Sequence, residues 1–350
     1  MHFPLSRLSA AVIACASAFA AAQSPDPAAA APGAPPAATA TAQPAASTDS
    51  PLDASGKIKS NVVLKGKRFY IAEYRVMFEV GGKVSANTRA AYFGGVDRGG
   101  TRVTVNYKVP AIDVKAFQEI TDKAYADFLA RMEAAGAKPE PADVFVKENG
   151  AVYESTVEGS KPGAEVYEEV DLGHGKRKYL VMAPTGTKMV ARSFIGMGAG
   201  NISKRIDYSK TDIEAVSMGV AVNVAAQESS GSASAMFRRE STANAAAAME
   251  VTSTHRMNLL QTHARGGAIT LTGALPVPGQ FGNLREVGGY DTTKDPAMKA
   301  ISILGALTMG VATNQSKTVD YEIDIDKAAL ARQSLEGINA LNKAAVGAIQ

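Results

Sequence analysis

In KTVDYEIDID, residues 317–326, the carboxylates Asp320, Glu322, Asp324 and Asp326 occupy alternate positions. On a strand such residues share one face, and a row of carboxylates is chemistry suited to calcium. The glycine that an EF-hand loop requires is absent, with Ile325 in its place. A solvated face whose charges discourage edge pairing is therefore the expected role of this row. The basic run Lys176-Arg177-Lys178 reads as a solvated loop, with contact to anionic lipid headgroups or glycans as its functional alternative. Apart from His2, the histidines are His174, His255 and His263, so a Ser-His-acid enzyme would have to use one of these three. Asp171 lies near His174, but no G-x-S-x-G elbow supplies a nucleophile. His255 and His263 are the pair to test for zinc; hydrogen-bonding strand histidines are the default.

The stretch RSFIGMGAGN, residues 192–201, places three glycines in alternate positions. It fails as a dinucleotide loop because Asn201 stands where the third glycine is needed. No G-x-x-x-x-G-K-[ST] loop is present either, and nucleotide is not expected as a ligand. No catalytic, cofactor-binding or metal-ligating residue is assigned, no cofactor is expected, and the chain reads as non-enzymatic. A net charge of +3 over 350 residues, with Lys and Arg dispersed, makes nucleic acid an unfavoured partner.

The N-terminus says where the chain goes. Arg7 precedes an apolar run from Leu8 to Phe19, and small residues follow at Ala18, Ala20 and Ala22. Residues 1–22 read as a signal peptide cut at Ala22-Gln23, too short to span a bilayer. Val12-Ile13-Ala14-Cys15 also resembles a lipobox, in which Cys15 would carry lipid. As Cys15 is the only cysteine, either cleavage leaves no disulfide. Residues 23–57 are rich in Ala and Pro and read as a disordered linker, able to reach on the order of 90 Å at roughly 3.1 Å per residue.

Residues 58–350 read as one α+β domain: a mostly antiparallel sheet with packed helices and long small-residue strands in the second half. From Tyr70 to Val80 the residues alternate, with Tyr70, Ala72, Tyr74, Val76, Phe78 and Val80 on one face and Glu73, Arg75 and Glu79 on the other. This predicts a half-buried strand wet on its polar side, with Gly81-Gly82 as the hairpin turn. A second such strand is TRVTVNYKV. Asp113 caps a helix whose Val114, Phe117, Ile120, Ala124, Phe128 and Met132 form one stripe, ended by Gly136 and Pro139. Residues 140–190 are expected to hold loops, edge strands and the short buried strand YLVMAP. From about 192 to 275 the strands carry small residues, as in Met218 to Val224, so another backbone, a lipid surface or a neighbouring subunit should pack on them. Asp295-Pro296 opens an apolar helix, Val319 to Ile325 form a strand, and the helix 327–349 presents Leu330, Ser334, Ile338, Leu341, Ala345 and Ile349 as a stripe.

Three stretches resemble the outer-membrane curli secretion channel family: Arg192-x-Phe194-x-Gly196-x-Gly198-Ala199, Val220-Ala221-Val222-Asn223-Val224, and Pro296-x-Met298 opening a helix with Gly310-Val311 near its end. The resemblance covers patches within 192–311 and implies a periplasmic α/β domain contributing strands to a shared oligomeric barrel. No site residue is carried over from it. The favoured expectation is an exported protein of the periplasm or outer membrane that acts by self-association or by contact with the outer membrane, as a secretion channel or its accessory. A soluble periplasmic or secreted binding protein is the alternative. Intact-mass measurement of the exported protein should give a chain beginning at Gln23; a mass that includes residues 1–22 would overturn the signal-peptide reading.

Overall fold

The computed structural model describes residues 52–350 apart from 89–91, 94–95, 98–100, 155–156, 159–166, 172–174, 190–209, 235–237, 255–256, 263–265, 293 and 296–314. All of these lie in the larger of two compact units, 42–350. In chain order the strands are β1 (Ile58–Ser60), β2 (Phe69–Thr88), β3 (Tyr92–Phe93), β4 (Val96–Asp97), β5 (Thr101–Lys108), β6 (Val157–Glu158), β7 (Tyr167–Asp171), β8 (Gly175–Met182), β9 (Lys188–Met189), β10 (Glu214–Ser234), β11 (Arg238–Ser253), β12 (Asn258–Thr262), β13 (Ala268–Leu271), β14 (Leu275–Val277), β15 (Gly282–Asp291) and β16 (Gln315–Ile325). The α-helices among the described residues are α1 (Val114–Ala134), α2 (Ala142–Glu154) and α3 (Lys327–Gly347).

The protein is α+β. Twelve strands form one sheet, in the order β1-β13-β12-β10-β2-β5-β16-β15, with β8 and β7 on the other flank of β2 and β11 and β14 beside β10. Pairing is antiparallel except for β10 with β2 and β16 with β5. The alternation in β2 does what its period requires on one side only. Tyr74, Val76 and Phe78 join Met218, Val220, Val222 and Val224 of β10 beneath α1 and α3. Phe78 stacks on Phe117 at 4.3 Å, and Tyr74 lies 5.4 Å from Phe128. Asn342 of α3 accepts from the Tyr74 hydroxyl at 3.2 Å and donates to the Ala124 carbonyl at 2.8 Å, which ties the two helices to each other and to the sheet.

Both helix starts follow from their caps. The Asp113 carboxylate accepts from the Ala116 amide, and Asp326 accepts from Ala328 and Ala329, filling donors that a first turn leaves open. The stripe from Leu330 to Ile349 is buried. At Gly337 α3 comes close to the sheet: a Cβ there would sit 2.7 Å from Val277 and 2.8 Å from Val251.

Several expectations are corrected. The second face of β2 is not wet, for Glu73, Arg75 and Glu79 are buried. Gly81-Gly82 is no turn; β2 runs through it to Thr88, flanked there by β5 and β8. Residues 142–154 form α2 where loops were expected. Phe145 is buried and stacks on Tyr70 at 4.4 Å, and Arg68 pairs with Glu140, Glu148 and Asp212, contacts distant in sequence that hold the helix in place, while the Asn149-Gly150 breaker leaves a kink at Asn149, whose φ of -133° and ψ of 32° are not helical. The linker stops short of residue 57: Ala54 is buried and Ser55–Lys57 make a 3₁₀ turn. The expected helix from Asp295-Pro296 and the stretch 192–201 lie outside the described residues, apart from Asp295.

Gly337→Ala should cost about 1–3 kcal/mol in urea denaturation through overpacking, although alanine gains about 1 kcal/mol of helix propensity. Gly347→Ala, whose Cβ meets nothing within 4 Å, is the control and should be neutral or stabilising.

Candidate functional site

The face of β2 that carries Glu73, Arg75 and Glu79, expected to be wet, is a polar part of the interior. Two strands share one flank of β2: β10 pairs with it from Phe69 to Phe78, and β5 pairs with it from Gly81 to Thr88. Glu79 and Val80 fall in the fork between them. At this point β10 leaves β2 through an irregularity between Asn223 and Ala225, and β2 has its own between Glu79 and Gly81. Bulges of this kind expose amides that the ladder no longer uses. The Glu79 carboxylate takes them: Oε2 accepts from Val224 N at 2.7 Å and Ala225 N at 3.1 Å.

The remaining contacts on Glu79 come from the two neighbouring strands. Arg177 of β8 donates to Oε2 at 2.9 Å and to the Ala225 carbonyl at 3.0 Å. Tyr107 of β5 donates its hydroxyl to Oε1 at 2.5 Å, and Gln227 of β10 donates to that hydroxyl. The Tyr107 ring reaches Glu79 because position 82 is glycine; a Cβ there would collide with the ring hydroxyl and with the Lys176 carbonyl. Beyond Arg177 the network continues to Glu250 of β11 at 3.8 Å, which accepts from Asn223, whose own side-chain oxygen accepts from Tyr179. Glu79, Arg177, Tyr107, Tyr179 and Asn223 are all buried.

Burial pushes the Glu79 carboxyl up, and Arg177, the Tyr107 hydroxyl and the two amides pull it back. The Tyr107 hydroxyl is pushed up by burial first and by Glu79 second. The Glu79 oxygens meet donors, three on Oε2 and one on Oε1, and the side chain is fully buried, so this carboxylate clasps strands. A second buried pair, Glu73 with Arg75 at 3.3 Å, sits on the same face of β2. Arg75 donates to Thr254 at 3.3 Å, and Gly219 leaves the room that the Thr254 side chain occupies.

The residues singled out from sequence fall elsewhere. Arg177 is in β8, not in a solvated loop, while Lys176 pairs with Glu169 and Lys178 lies over the Tyr167 ring at 4.4 Å. β16 is interior, between β5 and β15, so its acids do not guard an edge. Two of them are charge-paired in place, Glu322 with Lys108 and Arg285 and Asp324 with Arg285, while Asp320 accepts from the Asn106 amide and Asp324 stays 55% exposed, as a solvated face would. Asp326 is the cap of α3. Among the described residues no group of three or more His, Cys, Asp or Glu could hold a metal ion. His174, His255, His263, Gly196, Gly198 and Asn201 lie outside the described residues, and Asp171 ends β7. Sequence reasoning missed the network although Glu73, Arg75 and Glu79 were read as one face; nothing local says that a polar strand face will be covered.

Glu79→Ala should destabilise the fold by about 3–5 kcal/mol, since it strands Arg177 in the interior. The double variant Glu79→Ala/Arg177→Met should recover more than half of that loss. Denaturation midpoints in urea test both, and a neutral Glu79→Ala would mean that the network does not hold the fork. No protein-family model, curated protein or solved structure matches this chain, so its own geometry carries the functional reading.

Proposed function

We propose that this is an exported, non-enzymatic protein that works by self-association or binding at the outer membrane, as a secretion channel or its accessory. The observation that carries the reading is the ribbon formed by β10 and β11. Past the fork β10 pairs with β11 alone among the described pairings, from Ala225↔Ala247 to Ser234↔Arg238. A two-stranded ribbon is marginal by itself in water and gains from further strands or a surface to lie on. Its paired residues are largely Ala, Ser, Thr, Gly and Asn, small residues that let another backbone come close, with Gln227, Glu228, Arg238, Arg239 and Glu240 among them.

The leader-like N-terminus supports export. The resemblance to the curli secretion channels supports assembly at the outer membrane: of the stretches that carry it, Val220–Val224 lie in β10 and the others lie outside the described residues. Among the described residues no helix is long and apolar enough to cross a membrane, which says nothing of strands.

The alternative, a soluble periplasmic or secreted binding protein, is favoured by β15. Among the described strands β15 ends the sheet, and its Val287 and Tyr290 are exposed by 43% and 54%. An open edge accepts an added strand from a soluble partner.

Light scattering on residues 23–350 separates the two readings, run in buffer and again after extraction from membranes in detergent. A multimer that needs detergent is expected. A monomer stable in plain buffer overturns the assembly reading and leaves the binding protein.

A further inference from the structure

We infer that the β10–β11 ribbon is a hinged arm, joined to the body at the Val224 bulge and held down by the Glu79 clasp, and that it opens as a unit while the helix-covered core stays closed. The inference rests on the assembly reading only for the purpose of the arm, not for its motion. Three observations carry it, and each concerns what the ribbon leaves behind when it lifts.

The first is the position of the hinge. β10 is bonded to β2 up to Val222, and its pairing with β11 runs on both sides of a register irregularity: Val220–Asn223 face Glu250–Ser253, and Ala225–Ser234 face Arg238–Ala247, with the irregularity between Asn223 and Ala225. The rigid half of the strand and the ribbon half therefore meet at one place where ladder bonds are already interrupted. Rotation there breaks contacts to Glu79 and leaves the β2–β10 ladder intact.

The second is the chemistry of the seam. Beneath the ribbon lie ionised and polar groups: Glu79, Arg177, Glu250, Tyr107, Gln227 and Asn223. A buried ion pair adds little net stability because each charge has given up its hydration. On opening, both charges regain water, so the seam loses far less than an apolar seam of equal area would. The seam beneath α3 is the contrast: Leu330, Ile338, Leu341 and Ala345 pack there against the sheet and have nothing to gain from water.

The third is the apolar remainder of the contact. β11 crosses β2, β5 and β15, and Ala245 seats against Val84, Ala86 and Val105. An alanine offers a single methyl, so the ribbon's own share of the apolar area lost on lifting is small, Ala247 adding one more methyl against the main core. The small-residue composition has a physical consequence here: it lets the ribbon lie close while keeping the cost of release low.

Hydrogen exchange followed by mass spectrometry on the full chain tests the inference. In buffer the amides of 225–234 and 238–247 should exchange together, at least about tenfold faster than those of Val76–Phe78 and of α3. Glu79→Gln should speed the ribbon about a further tenfold, the effect of losing one charged hydrogen bond, and leave α3 unchanged. Should that variant not fold, Gln227→Ala loosens the same clasp at its half-exposed end and is read in the same way. A ribbon that exchanges no faster than Val76–Phe78, or a variant that speeds α3 and the ribbon alike, overturns the hinge. Vesicles of phosphatidylethanolamine and phosphatidylglycerol are then added: slowed exchange confined to 225–247 supports a membrane-facing arm, and unchanged exchange overturns the membrane role while the hinge stands on the buffer result.

Discussion

One carboxylate decides how this sheet is put together. The flank of β2 cannot be filled by a single strand, because β10 leaves at Phe78 and β5 arrives at Gly81. Between them two backbone amides of β10 would be buried without a partner, each at a cost comparable to a lost hydrogen bond. Glu79 supplies the missing acceptor at 2.7 and 3.1 Å. In doing so it brings a negative charge into the interior, and the charge in turn requires Arg177 from β8 and Tyr107 from β5. The glycine at position 82 and the buried arginine are consequences of that one placement.

The two faces of the central strands are accordingly different kinds of interior. Under α1 and α3 the contacts are apolar and aromatic, and they supply the driving force for folding. On the other face the contacts are directional. Glu79 with Arg177, Tyr179 with Asn223 and Arg75 with Thr254 each demand one geometry. Such groups add less to stability than to uniqueness: a one-residue slip of β2 against β8 would carry Glu79 away from Arg177 and bury two unpaired charges. Register in this sheet is thus set by polar chemistry, while cohesion is set by the helices.

The same division organises the functional reading. A body held by apolar packing carries a ribbon seated on polar groups and alanines, so the part with small side chains is also the part most easily separated from the rest. At the far end of the sheet β15 leaves Val287 and Tyr290 in water. Under the proposed function both features are surfaces for other chains.

Much of the architecture was written locally. The stripe from Phe117 to Met132, its Asp113 cap, the stripe from Leu330 to Ile349 and the alternation of Tyr74, Val76 and Phe78 each follow from period and capping, which depend only on neighbours along the chain. Tertiary structure alone decided the rest. Whether Glu73, Arg75 and Glu79 face water depends on what covers β2. Whether Arg177 is a loop cation or a buried partner depends on a carboxylate 98 residues away. Whether Gly81-Gly82 turns or continues depends on strands arriving on both flanks, and whether 142–154 is a helix depends on Tyr70 and Arg68. The period of a strand tells which residues share a face; the environment of that face is a long-range property, and no local pattern encodes it.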